Sequence, residues 1–432
     1  MMKRMFFNPL RVVLWLLLLP VSSWAAATDS LSLSTFNSGD TTAVLADSIA
    51  NSADRWAIAA AANMSYLFHH SEYTRRVLHS YGSSHFDLRV KWQPGPRHQT
   101  VYDRALGHPM LQAGLLYTDF SHVHVYKSNA AFESRIGHIW ALYGGMQLEF
   151  LHRGRWTLGA DLIHGVAYCP NPFDENTNPD NELIGSRLTI FVSGGLFARY
   201  RVSPQWSLSL GADFKHFSNG TLDRPNLGAN LLGATVAVQY DLQPQPMRED
   251  AARHSANALP HANNFYVETL AGMGLKALID RFAVFPNKHN PIYAFPVVMV
   301  APMYRWHLLH ATGLAIDYTY ADYIYRVQEY DQMRHTEVDN YSPHIAGISL
   351  RHELFYRRFS VNVGVGYYLL NHTGYTYETN ESRVFQNVGL RYSPTFARGH
   401  LFVGYNVKAH HFSKVNCVQL VLGCRIGRLH HQ

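Results

Sequence analysis

The chain has 432 residues, of which only 16% are charged and 13% are aromatic, with a formal net charge of +6. With a mean hydropathy of −0.15 and no apolar run beyond the N-terminus long enough to cross a bilayer as a helix, a polytopic helical membrane protein is excluded. Cys169, Cys417 and Cys424 form neither a disulfide framework nor a metal pattern, and the positive balance mildly favours an anionic surface as partner; no nucleic-acid partner, metal or other cofactor is expected.

At the N-terminus, Lys3, Arg4 and Arg11 precede an apolar core from Val12 to Val21, and Ser23-Trp24-Ala25 offers a cleavage site near Ala25, so residues 1–25 read as a signal peptide for export from a bacterial cytoplasm. Residues 26–108 have no clear period and read as a periplasmic lead segment, partly helical over 43–81. Within it, His85 to Trp92 alternates like a strand, but counting it would make the strand number odd, so it is left out of the barrel.

From Pro109 onward, alternating segments are joined by connections of two lengths that take turns. Tight turns fall at 152–155, 202–204, 309–312, 357–358 and 397–399; long polar loops fall at 119–136, 170–186, 219–228, 279–291, 328–342 and 373–383. Short periplasmic turns alternating with long external loops are the habit of outer-membrane β-barrels. The reading is therefore an all-β protein, an antiparallel transmembrane outer-membrane barrel of about 14 strands, an even number as such barrels require. Residues 109–242 form one half and 264–427 the other, joined by a periplasmic connector at 243–263; two smaller barrels are the alternative. The aromatic residues are expected to form girdles at the membrane interfaces.

The most informative stretch is Gln205 to Leu242. Its first arm places Trp206, Leu208, Leu210, Ala212 and Phe214 on one face, against Ser207, Ser209, Gly211, Asp213 and Lys215 on the other. The second arm repeats the pattern from Leu232 to Leu242. Carrying the parity to the tips puts His216, Ser218 and Asn230 on the apolar face, at the level of the outer leaflet if that face meets lipid. Residues i and i+2 of a strand project side by side, so the His216 imidazole is placed to take a proton from Ser218. His-x-Ser alone is weak evidence, since His69/Ser71 and His411/Ser413 repeat it. His122 and His124 fall in a long loop without a third ligand and read as a solvated pair.

His216-Phe217-Ser218-Asn219-Gly220, followed by Pro225-Asn226, Gly228 and Asn230, resembles the signature of the lipid A 3-O-deacylases, the PagL-like acyloxyacyl hydrolases. Gly165-Val166-Ala167-Tyr168, Asn171-Pro172-Phe173, Asn178-Pro179 and Ile184-Gly185-Ser186 resemble the longer members found in Bacteroidetes. The resemblance covers roughly 137–242 and only loosely the C-terminal half. It implies a serine esterase of the cell outer membrane that hydrolyses an acyl ester of lipid A, the lipid anchor of lipopolysaccharide, with Ser218 as nucleophile and His216 as general base. The family pattern has a glutamate where this chain has Asn230; an amide oxygen orients the base but supplies no full charge, and Asp223 is an alternative acid. The backbone N–H groups of Asn219 and Gly220 are the nearest oxyanion donors. The competing expectation is a non-enzymatic barrel, for transport or structure, with a degenerate site.

Overall fold

The computed structural model describes residues 54–68, 78, 82–125, 134–247, 263–286 and 290–427. The signal-peptide segment, His69/Ser71 and most of the connector lie outside those residues. Among the described residues sixteen strands form two closed barrels of eight, so the arrangement is the two-barrel one and not a single barrel of 14. The first barrel comprises β1 (Arg55–Leu67), β2 (Gly82–Gln93), β3 (Met110–Val125), β4 (Ser134–Arg153), β5 (Trp156–Tyr168), β6 (Leu188–Arg201), β7 (Trp206–Ser218) and β8 (Ala229–Asp241). The second comprises β9 (Asn264–Ala277), β10 (Ile292–Arg305), β11 (His310–Tyr320), β12 (His344–Tyr356), β13 (Phe359–Leu370), β14 (Val384–Tyr392), β15 (Leu401–His410) and β16 (Lys414–Gly427). Short helices α1 (Val101–Ala105), α2 (Ile279–Val284), α3 (Ile324–Arg334) and α4 (Tyr375–Asn380) lie in the connections.

The two added strands both come from the expected lead segment. β1 pairs with β2 on one side and with β8 on the other, sealing the first barrel, with Ala61 opposite Asp87 and Ala237. A lead segment over 26–108 is thereby corrected: residues 55–93 hold two wall strands, and the even count that excluded β2 is restored by β1. The alternation of connection lengths also has two exceptions, the long β2–β3 connection carrying α1 at the short-turn end and the brief β15–β16 turn at the long-loop end.

Strand parity works as expected for a wall with lipid outside. On β7, Trp206, Leu208 and Leu210 are exposed while Ser207 and Lys215 are buried in the lumen. Pairs of outward aromatics, Trp156 with Tyr200 and Trp206 with Tyr240, sit near the short-turn end, where an interfacial girdle belongs. An eight-stranded barrel has an interior just wide enough for side chains to fill, and charged groups fill both. In the first, Lys215 pairs with Asp213, and Arg199 with Glu149. In the second, Arg391 and Arg425 meet Glu268 and Glu353. The open lumen that a wider barrel would hold is thus replaced by two polar cores.

The long-loop end of the first barrel is plugged by an apolar cluster that includes Phe120, Ile184, Phe191 and Phe217; the Phe191 and Phe217 rings stack at 4.9 Å. At the opposite end α1 reaches across to the second barrel. There the buried Asp103 accepts from Tyr356 Oη (2.7 Å) and Arg357 Nη2 (2.7 Å). On the outer walls, Tyr405 Oη of β15 and His164 Nε2 of β5 lie 2.6 Å apart. The three cysteines are free.

Candidate active site

The site is assembled by hairpin register. His216 on β7 and Asn230 on β8 are directly opposed partners, so their side chains share the outer face. His216 Nδ1 lies 2.7 Å from Asn230 Oδ1. An amide oxygen only accepts, so Nδ1 carries the proton, and Nε2 keeps its lone pair as a base. Both groups are half-buried, at the long-loop end of a wall that is otherwise apolar outside.

Ser218 is buried beside them, covered by its own loop. Its hydroxyl oxygen accepts from Asn226 Nδ2 (2.8 Å) and from the Gly220 N–H (3.1 Å). With both lone pairs engaged, the hydroxyl proton is left to be given away. Gly228 lies between His216 and Ser218: it has φ +77, and a Cβ there would lie 3.0 Å from His216 Cε1 and 3.6 Å from Ser218 Cβ. The His216 ring and the Ser218 Cβ therefore lie on the same side of the wall and flank the same glycine, while the Ser218 hydroxyl is engaged by Asn226 and Gly220.

Two loops hold this arrangement. The β5–β6 loop accepts the Leu227 and Gly228 N–H groups on its Glu182 and Leu183 carbonyls, both at 2.9 Å. A Cβ on Gly185 would sit 2.0 Å from the Pro225 carbonyl oxygen, so only glycine permits that approach. Asn178 braces the same loop by donating to the Arg135, Asn171 and Pro172 carbonyls. The Arg224–Pro225 peptide is cis.

Other sequence candidates fare differently. The Gly220 N–H already holds Ser218, and the Asn219 N–H reaches Asn226 Oδ1 at 3.4 Å, so neither oxyanion candidate stands unengaged at rest. Asp223 Oδ1 accepts the Arg224 N–H (2.8 Å). His411 and Ser413 sit in the β15–β16 turn, His411 with φ 52, and do not form a strand pair. His122 and His124 lie on β3 and not in a loop, and among the described residues no group of three or more His, Cys, Asp or Glu is placed to hold a metal. Two residues gained importance only in the fold: Asn226, which bridges Ser218 and the Asn219 backbone, and Gly228. Both belong to the quoted motif, but strand periodicity assigns nothing to loop residues. A serine–imidazole contact, Ser83 with His85 (3.3 Å), faces the lumen of the first barrel, where Thr118 meets the other ring nitrogen.

Two family models match the chain in sequence: "Lipid A 3-O-deacylase (PagL)" over residues 87–239 and "Acyloxyacyl hydrolase, C-terminal domain" over residues 264–428. The chain belongs to the PagL-like acyloxyacyl hydrolase family. The first match runs from within β2 to within β8 of the barrel that carries His216, Ser218 and Asn230, leaving out β1, and the second covers β9 to β16. Among solved structures, the outer membrane enzyme PagL aligns at 18% identity over 43% of this chain and 98% of its own, with a TM-score of 0.25. A triple mutant of Rhodopseudomonas blastica porin aligns at 10% identity over 87% of this chain and all of its own, with a TM-score of 0.16. No curated protein matches in sequence.

Proposed function

We propose that this protein is an outer-membrane serine esterase that hydrolyses an acyl ester of lipid A. The observation that carries the reading is the His216–Asn230 contact on the lipid-facing side of β7 and β8, with Ser218 flanking the same glycine. A soluble esterase would bury its triad in an apolar core; here the dyad stands at the rim of an apolar outer wall, at the level of the ester linkages of an outer-leaflet lipid.

Ser218 Oγ attacks the acyl carbonyl carbon while His216 Nε2 accepts the hydroxyl proton, and Asn230 Oδ1 holds the Nδ1–H that fixes the ring. As Oγ bonds to carbon, the two donors aimed at the resting hydroxyl, Asn226 Nδ2 and the Gly220 N–H, are free to turn to the neighbouring oxyanion. Collapse expels the sugar alkoxide, which takes the proton from His216. Water, deprotonated by the same Nε2, then cleaves the acyl-serine, releasing a fatty acid and restoring Ser218. The polar cores of both barrels argue for surface chemistry over passage through a pore. The competing reading, a barrel with a decayed site, is favoured only by the missing charge at Asn230.

Mass spectrometry of lipid A from cells carrying the native gene or Ser218→Ala provides the test. The expected result is loss of one acyl chain in the first and full acylation in the second; identical acyl patterns remove the esterase reading.

A further inference from the structure

The loop that presents Ser218 is fastened to the second barrel. Gly220 and Thr221 both have left-handed backbone, φ +65 and +78, a conformation in which a β-branched residue such as Thr221 is strained and persists only when its surroundings impose it. Within its own loop Thr221 donates its N–H to Asn219 Oδ1 (3.0 Å); the other contacts that hold it belong to the other barrel. The Thr221 carbonyl accepts from the Ala277 N–H at the end of β9 (2.7 Å), and the Thr221 hydroxyl donates to the Asn416 carbonyl on β16 (3.3 Å). Arg224 Nε donates to the Ala277 carbonyl (3.3 Å), and Asn290 Nδ2 donates to the Arg224 carbonyl (3.2 Å). Val418 is 5% exposed, although its outward-facing neighbours on β16, Leu420 and Leu422, are 53% and 60% exposed. Gly220 explains the difference, since a Cβ there would come within 2.6 Å of Val418 Cγ2. The residue pressed against Val418 is the one whose N–H holds the Ser218 hydroxyl.

We propose that the second barrel is a positioning element for the first barrel's chemistry: Val418 and the end of β9 clamp Gly220 and Thr221, and so set where the Ser218 hydroxyl stands relative to His216. This rests on the reading of Ser218 as nucleophile. A displacement of about 1 Å in a reacting group costs on the order of a hundredfold in rate, so a loop released from the clamp loses turnover more than it loses binding. None of the clamping residues touches the ester; they act through Gly220.

The test uses the full-length protein with three substitutions. Val418→Phe forces bulk against Gly220, Val418→Thr keeps the shape, and Thr221→Val removes only the hydroxyl. Each is assayed for kcat and KM of fatty-acid release from lipid A in mixed micelles and for amide hydrogen exchange across residues 218–228, with heat-modifiable gel mobility reporting the folded barrels. Val418→Phe is expected to lower kcat by about a hundredfold with KM changed by no more than about twofold, and to speed exchange in the loop. Val418→Thr restores native behaviour, and Thr221→Val lowers kcat about fivefold, the worth of one neutral hydrogen bond. A Val418→Phe protein that turns over and exchanges like the native one overturns the proposal, as does Val418→Thr damaged as badly as Val418→Phe. Should Val418→Phe not fold, Thr221→Val decides alone, with native kcat and native exchange counting against the clamp. If the native protein releases no fatty acid, the esterase reading fails, and loop exchange by itself decides the clamp.

Discussion

Replacing Asn230 by Asp exchanges one heavy atom and adds one charge beside the His216 ring. The amide oxygen already fixes the tautomer, because it accepts from His216 Nδ1 at 2.7 Å. What it lacks is attraction for the imidazolium that forms when Ser218 gives up its proton. Two unit charges about 4 Å apart attract by about 4 kcal/mol at an effective dielectric of about 20. Most of that is offset by desolvating a carboxylate at a half-buried rim position. The difference between a neutral and a charge-assisted hydrogen bond leaves about 1–2 kcal/mol, which is roughly five- to thirtyfold in rate. Asn230→Asp is therefore expected to raise kcat for fatty-acid release from purified lipid A by about tenfold. Asn230→Ala, which leaves Nδ1–H without this acceptor, is expected to lower kcat by about a hundredfold. If Asn230→Ala turns over at the native rate in a folded barrel, Asn230 does not orient the base, and the triad reasoning fails; an unchanged rate in Asn230→Asp removes the electrostatic half of it.

Gly228→Ala adds a Cβ 3.0 Å from His216 Cε1 at a backbone with φ +77, so kcat is expected to fall about tenfold or more while gel mobility still reports a folded barrel, the strain being about 1–2 kcal/mol. Asp103→Asn breaks the buried contact with Arg357 and Tyr356; removing one partner of a buried ion pair costs about 3 kcal/mol, so the temperature of heat modification is expected to drop with little change in turnover. Burial alone would raise the Glu381 carboxyl, but Lys276 and the bonds from His410 and Asn416 outweigh it and push it down to about 2. A carboxyl depressed on folding stabilises fully above its ordinary value and loses that contribution as pH falls toward about 2. In an acid titration of tryptophan fluorescence, Glu381→Gln is expected to flatten the stability change between pH 4.5 and 2, and a native slope there would refute the assignment.

Legibility in the sequence followed side-chain contrast. β7 and β8 are readable because Leu, Val and Trp alternate with Ser, Asp and Gln, and that parity alone sets His216 and Asn230 on one face. β1 was not readable, since RWAIAAAANMSYL presents small apolar residues to both sides, a composition that favours helix locally. Its inward Ala57, Ala59 and Ala61 leave lumen space for long neighbours such as Arg89 and Lys91 from β2, a reason that exists only once the barrel closes. Missing β1 made β2 look supernumerary and turned two barrels of eight into one of 14. His122 and His124 were read as loop because polar residues near a strand end resemble a turn, whereas β3 runs on to Val125. The Gly220–Val418 contact was invisible because it joins positions that no local pattern connects.

Each barrel closes on its own first and last strands, β1 with β8 and β9 with β16, so neither lends the other a strand edge. A break in the stretch between β8 and β9 would expose no unpaired edge from which aggregation starts. Cohesion then falls on contacts between finished walls. In a bilayer, apolar walls gain little by exchanging lipid for each other. The partnership is therefore written in polar contacts at three levels: Thr221 and Arg224 with Ala277 and Asn416 at the long-loop end, His164 with Tyr405 at mid-wall, and Asp103 with Arg357 at the short-turn end. Loss of all of these would leave the strand pairing of each barrel whole while the two walls part in the same membrane.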